Sequence, residues 1–203
     1  MHRYLAGRIK DKPDNSNRRF AIAAGMNYTV SKGPFPFWGA PAKEQAKTLS
    51  SKKGDFASGR LSEFRLAELY LKKSGRGNPK SCWQLAYTGS VGSQSLMGIP
   101  HVHKLRDTLE AAKLWPFETG LRSLDEEALA ETKTLICEIY PSAVDVTPEP
   151  GEIIDRAQVR TIANYYSELD AKGTLGACFG APDSLDTGKI EQIEQEEGWI
   201  LVK

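Results

Sequence analysis

A chain of 203 residues, 40% hydrophobic and 26% charged, is long enough to bury a real core and has the composition of an ordinary globular protein, which excludes disordered and fibrous classes. Its longest apolar stretches, such as residues 135–139, fall far short of the roughly 20 residues that span a bilayer. The N-terminus also lacks the apolar segment of a signal peptide, so a cytoplasmic protein with no membrane association is expected. The near-neutral total of +1 conceals a split: residues 1–80 hold 17 Lys and Arg against 6 Asp and Glu, and residues 81–203 hold 10 against 20.

The organisation predicted is a single α/β domain over 1–203, with a basic helical and loop segment (1–80) followed by an acidic α/β segment (81–203). Within the first 30 residues, Asp14-Asn15-Ser16-Asn17 offers caps for a helix carrying Phe20, Ile22, Ala23, Ala24 and Met26. Three prolines within Pro34-Phe35-Pro36-Phe37-Trp38-Gly39-Ala40-Pro41, and a Lys/Ser/Gly-rich run from 43 to 59, predict a long loop with at most one short helix. Its three aromatics either touch a ligand or pin the loop on the core. Residues 61–73 alternate Phe64, Leu66, Ala67, Leu69, Tyr70 and Leu71 with charged positions as an amphipathic helix would, and Ser74-Gly75-Arg76-Gly77-Asn78-Pro79 ends it.

The run from Trp83 to Tyr87 is apolar and strand-like, and residues 95–110 read as a helix interrupted at Gly98-Ile99-Pro100. Two further strands are predicted near Trp115 and Leu135, with a fourth near Trp199. Between them lie a helix over 152–172, stopped at Gly173, and an acidic helix over 187–197. Cys82, Cys137 and Cys178 are odd in number and widely spaced, which argues for buried thiols over a disulfide framework or a zinc knuckle.

Trp115-Pro116-Phe117-Glu118-Thr119-Gly120 and Ile136-Cys137-Glu138-Ile139-Tyr140-Pro141-Ser142 each set a glutamate beside an apolar run, just before residues that stop it. A carboxylate in such a place is costly unless it is paired, hydrogen-bonded or bound to a cation. Glu118 and Glu138, joined by Asp155 in the first turn of the long helix, are therefore the candidate catalytic and metal-binding acids. The helix N-terminus alone would also account for Asp155. Hard oxygen ligands suit Mg²⁺ or Mn²⁺, and Arg65, Arg156 and the N-terminal lysines are candidates for binding substrate phosphates.

Other motifs have plainer readings. His101 and His103 lack a third ligand nearby, and Gly89-Ser90-Val91-Gly92-Ser93 lacks the lysine of a phosphate-binding loop. The nucleophile-elbow pattern is absent around Ser90, Ser93 and Ser95. Arg65 and Glu68 are spaced to pair with each other, and Glu196-Glu197 could add a carboxylate to the acidic group.

Taken in order, Asp14-Asn15-Ser16-Asn17-Arg18-Arg19-Phe20, Phe37-Trp38-Gly39, Gly89-Ser90-Val91-Gly92-Ser93-Gln94, Gly98-Ile99-Pro100, the two glutamate motifs, Asp155-Arg156-Ala157-Gln158-Val159-Arg160 and Glu196-Glu197-Gly198-Trp199-Ile200 resemble a bacterial family of uncharacterised proteins. Its members are expected to have an RNase H-like fold, and some are labelled molybdopterin-guanine dinucleotide or cobalamin biosynthesis proteins. The resemblance implies a partial RNase H-like α/β domain with Glu118, Glu138 and Asp155 at a nuclease-like metal centre. The family also carries N-terminal strands, with an aspartate followed by Trp-Ser on the first, upstream of the point matching Met1. Without them the sheet should expose pairing edges, favouring a homo-oligomer or a partner chain. Leu5-Ala6-Gly7-Arg8-Ile9-Lys10 does not match the Gly-rich opening of a guanylyl-transferring enzyme. Two functions are thus expected of the sequence: a Mg²⁺- or Mn²⁺-dependent phosphodiester hydrolase acting on nucleic acid or a phosphorylated ligand, and a non-enzymatic binding or assembly module.

Overall fold

Residues 1–14, 16–58 and 61–202 are described in a computed structural model of the chain. Of the expected features, the cap at Asn15 and the loop end at Gly59 lie outside the described residues. In chain order the elements are α1 (His2–Ala6), α2 (Arg19–Ser31), α3 (Leu66–Lys73), α4 (Gly92–Thr108), β1 (Ala112–Leu114), β2 (Thr134–Ile136), β3 (Glu138–Ile139), α5 (Ile154–Ala171), α6 (Thr187–Gln192) and β4 (Ile200–Leu201). The fold class is mixed α/β, with helices predominating. The chain divides into two compact units, one of residues 1–65 and 80–105, the other of 66–79 and 106–203. The expected boundary after Pro79 is therefore one of three crossings, and α3 with its following turn joins the later, acidic part.

The first unit is organised by α2. Phe20, Ile22 and Ala23 face a core with Leu5, Phe37, Ala40, Leu49, Leu85 and Leu96. Asn27 is 0% exposed on the same inner side. Its amide nitrogen donates to Phe37 O and to Thr48 O, both at 2.8 Å, and its amide oxygen accepts the Phe37 N–H at 2.8 Å. One side chain thus satisfies three backbone groups of the long 31–50 segment, which would otherwise be buried without partners. Thr48 adds a bond from its hydroxyl to Ala24 O. Of this loop's aromatics Phe37 is buried in the core, edge-on to Trp83, and Ala42–Glu44 forms a short 3₁₀ turn.

The run near Trp83 differs from the strand expected of it. Its backbone makes isolated bridges with Trp38, through Trp38 N–H to Trp83 O and Leu85 N–H to Trp38 O, and extends no further. The reason is local: the Ser81 hydroxyl accepts the Trp83 N–H and the Ser93 hydroxyl bonds Leu85 O, so side chains take the places a neighbouring strand would fill. α4 also departs from expectation, since it is continuous from Gly92 with Pro100 inside it. Gly92 starts it close against the preceding chain, where a Cβ would stand 2.5 Å from Cys82 O. His103 on α4 stacks on His2 of α1 with ring centroids 3.6 Å apart.

In the second unit β1 pairs with β2 in parallel, Lys113 opposite Leu135, and β3 pairs with β4 in parallel, Glu138 opposite Ile200. Cys137 alone separates β2 from β3. Parallel pairs need long crossovers; residues 115–133 supply one, and α5 with α6 supplies the other. The core gathers Ala67, Leu71, Trp115, Leu121, Leu124, Leu169, Phe179, Ile193 and Trp199. Trp115 lies edge-on to Phe179, and Trp199 lies beside Tyr70. The Tyr166 hydroxyl donates to Leu201 O at the end of β4, and burial pushes its pKa above the ordinary range.

The amphipathic helix expected from residue 61 begins only at Leu66. Ahead of it the Ser62 hydroxyl accepts the Phe64 N–H, a local turn that competes with helix. The Leu66 N–H instead finds the Glu197 carboxylate, at 2.7 Å.

Candidate functional site

The three acids singled out in the sequence lie in different settings. Glu118 follows β1 by four residues, partly exposed, and its Oε2 accepts the Leu114 N–H at 2.8 Å and Arg106 Nε at 3.2 Å. A second bond joins Arg106 Nη2 to Glu118 Oε1, making the pair bidentate. Glu118 and Asp107 together hold the Arg106 guanidinium charged, with its pKa above the ordinary value. Glu138 sits in β3, exposed at its side chain, with its backbone in register with Ile200. Asp155 is exposed in the first turn of α5, where its charge suits the helix N-terminus.

Among the described residues no group of three or more His, Cys, Asp or Glu is placed to hold a metal. Mg²⁺ requires near-octahedral oxygen ligands, commonly one or two carboxylates with further donors. Glu118, Glu138 and Asp155 are not gathered into such a set, so they do not fit the Mg²⁺ or Mn²⁺ ions that the family resemblance implies. Of the candidate phosphate-binding residues, Arg156 is largely exposed on α5 with its nearest carboxylate, Glu152, at 3.9 Å. Arg65 is half-buried just before α3 and engaged within the fold.

One ionic arrangement in the acidic unit, between Glu152 and Arg160, is passed over by sequence reading. Glu152, with its side chain only 6% exposed, takes a bidentate contact from Arg160 at 3.1 and 2.7 Å and the Glu149 N–H at 3.0 Å. Arg160 also donates to Thr147 O. The bonds from Arg160, then that from the Glu149 backbone, pull the Glu152 pKa down from 4.5 to about 2. This clamp holds residues 147–152 against α5. The partners are eight residues apart, beyond the i,i+4 spacing that marks a pair on a helix.

The first unit presents the opposite electrostatic picture, with 15 Lys and Arg against 5 Asp and Glu. Between α1 and α2 the chain folds around a groove of about 420 Å³ lined by Gly7, Arg8, Lys10, Lys12, Ser16, Asn17 and Arg18. Four of these seven are cations and none is an acid. Among the described residues no ion pair engages Arg8, Lys10, Lys12 or Arg18. The two nearby aspartates have local partners: Asn17 Nδ2 donates to Asp11 Oδ1 at 2.8 Å, and the Ser16 N–H to Asp14 Oδ1 at 3.0 Å. Bonds from the Ser16 side chain and backbone hold the Asp14 carboxyl below the ordinary range.

Asn17 also shapes the entry to α2. Its Oδ1 accepts the Arg19 N–H and Arg19 Nη1, both at 3.1 Å, while Arg19 Nε donates to Ser93 Oγ at 3.1 Å. Such an assembly can take up a multiply charged anion through cations and polar groups without supplying a base or a metal.

The signal for the groove was present in the sequence as the density of Lys and Arg among the first 19 residues. Their convergence was not, because it depends on how α1 returns on α2. Among the described residues no helix is long and apolar enough to cross a membrane. No family model, curated protein or solved structure matches the chain.

Proposed function

We propose that the chain is a binding module for phosphate-bearing polymers, taken up in the basic groove between α1 and α2. The observation that carries this reading is the wall of the groove: four cations that no ion pair engages among the described residues, and no acid among the lining residues. Closely set phosphates are the ligand that such a wall suits, since each phosphate neutralised by Lys or Arg releases condensed counterions. The non-enzymatic alternative expected of the sequence is favoured over a metal-dependent phosphodiesterase, because Glu118, Glu138 and Asp155 do not converge and Glu118 is engaged by Arg106 and by the Leu114 N–H.

The test is binding of the full chain to fluorescein-labelled oligonucleotides, followed by anisotropy over a salt series. The expected result is saturable binding whose log–log salt slope is roughly −3 to −4, as four phosphate contacts require. Substitution of Arg8, Lys10, Lys12 and Arg18 together by Ala should abolish it with the fold intact by circular dichroism. An unchanged isotherm for that variant, or no binding by the native chain, would sink the reading.

A further inference from the structure

Arg18, which lines the groove, immediately precedes α2, and the exposed side of that helix has a pattern of its own. Ala21, Gly25 and Tyr28 follow one another at intervals of four and three residues, which places them on one helical face, and Arg18 and Lys32 flank the helix as its two caps. Ala21, Gly25 and Tyr28 are all exposed, whereas Phe20, Ala23 and Asn27 on the other side are buried. The helix contains no Asp or Glu. At 1.5 Å per residue the helix runs about 18 Å from Arg19 to Ser31.

Two aromatic rings stand along this path, each with a cation over it. Tyr4 of α1, 39% exposed, has its hydroxyl 3.9 Å from where a Cβ on Gly25 would lie, so it sits beside the middle of the face. The Arg8 guanidinium covers its ring at 4.0 Å from the centroid, and Arg8 is itself part of the groove wall. Further along, Tyr28 is 57% exposed and carries Lys32 Nζ over its ring at 4.6 Å. The small residues Ala21 and Gly25 keep the surface low between the groove and Tyr28, so a chain lying there meets no obstruction from α2.

We infer that this face, together with the groove, is a track for single-stranded nucleic acid, with bases stacking at Tyr4 and Tyr28 while the groove cations take the backbone. The inference rests on the polyanion reading above and narrows it to one ligand class. Alternating cations and exposed aromatic rings without acids suit a polymer that alternates phosphates with π-faces. A duplex offers the phosphates but keeps its base faces stacked inside. An acidic peptide or inorganic polyphosphate offers charge with no ring for the tyrosines to meet.

The experiment compares four probes on the full chain: a single-stranded oligothymidylate, a duplex of equal length, inorganic polyphosphate and a polyglutamate peptide. Each is measured against the native protein and the Tyr4→Ala, Tyr28→Ala, Tyr4→Phe and Tyr28→Phe variants. The expected result is preference for the single strand, with each alanine variant losing roughly five-fold or more in affinity. The salt slope should be unchanged by these substitutions, and the phenylalanine variants should bind as the native chain does. Because both tyrosines are exposed, unchanged thermal unfolding of the alanine variants separates lost stacking from lost folding. If the duplex, polyphosphate or polyglutamate binds as tightly as the single strand, or the alanine variants are silent, the track is overturned while the groove reading stands or falls by its own charge variants. If none of the probes binds, both readings fail together.

Discussion

The two units use charge in opposite ways. In the second, carboxylates are part of the scaffold: Glu118 accepts the Leu114 N–H, Glu194 the Leu121 N–H, Glu197 the Leu66 N–H and Glu152 the Glu149 N–H. In the first, the comparable backbone work is done chiefly by uncharged side chains such as Asn27, Thr48 and Ser31, and among the described residues Arg8 is the one groove cation that joins it, through a bond to Tyr4 O. The lesson is that an excess of one sign has no single meaning. Acids that close loops and start helices leave little for a ligand, whereas cations without such duties remain available to a partner.

The sharpest ways to break this comparison act on the scaffolds themselves. Gly176→Ala should destabilise most, by roughly 3 kcal/mol or more, because a Cβ there would lie 2.1 Å from Leu124 O while Gly176 O accepts the Leu124 N–H. Hydrogen exchange should report the loss across the Trp115 and Trp199 core. Asn27→Leu should cost roughly 2–4 kcal/mol by leaving the Phe37 N–H, Phe37 O and Thr48 O without their partner. Here the loss of protection should centre on residues 31–50; an undisturbed loop would show that Asn27 is not its anchor. Glu194→Ala should cost about 1–2 kcal/mol in urea unfolding, since Leu121 loses the acceptor of its N–H.

Acid sharpens the contrast further. The Glu152 carboxyl holds its charge down to about pH 2 in the fold, against 4.5 for the ordinary value. Between those values the unfolded chain binds the extra proton, so this contribution is complete above 4.5 and disappears as pH falls toward 2. Denaturant unfolding across that range should show a shallower pH dependence for Glu152→Gln than for the native chain. The smallest effect on stability, within about 0.5 kcal/mol, is expected for Lys10→Ala and Lys12→Ala. If those lysines stand outside the scaffold, removing them should change the salt dependence of polyanion binding and leave the melting temperature in place.

Much of the helical framework is legible in the sequence: α5 carries a buried stripe at helical spacing with Gly173 as its stop, α2 carries apolar residues at roughly helical spacing, and α6 starts where expected but ends at Gln192. The strands near Trp115, Leu135 and Trp199 are legible in position but far shorter than their apolar runs suggest. What escapes reading is whatever depends on a distant partner. The Trp83 run is claimed by serine hydroxyls, Leu66 starts its helix on a carboxylate 131 residues away, and Pro100 lies within α4 although its dipeptide context reads as a break. At the acids, the motif around Glu118 is visible, but the arginine that engages it lies 12 residues upstream. Asn27 gives no signal at all, since a lone asparagine in an amphipathic helix looks like any other polar position.

The order in which the chain visits its two units has a consequence for dissecting the gene. The backbone leaves the first unit after residue 65, returns at 80 and departs again after 105. No single break separates them. A fragment of residues 106–203 would lack Ala67 and Leu71, which close the core around Trp115 and Trp199; a fragment of 1–105 would carry α3 without the elements that bury its apolar side. Independent halves would need α3 transplanted by circular permutation or supplied in trans as a peptide.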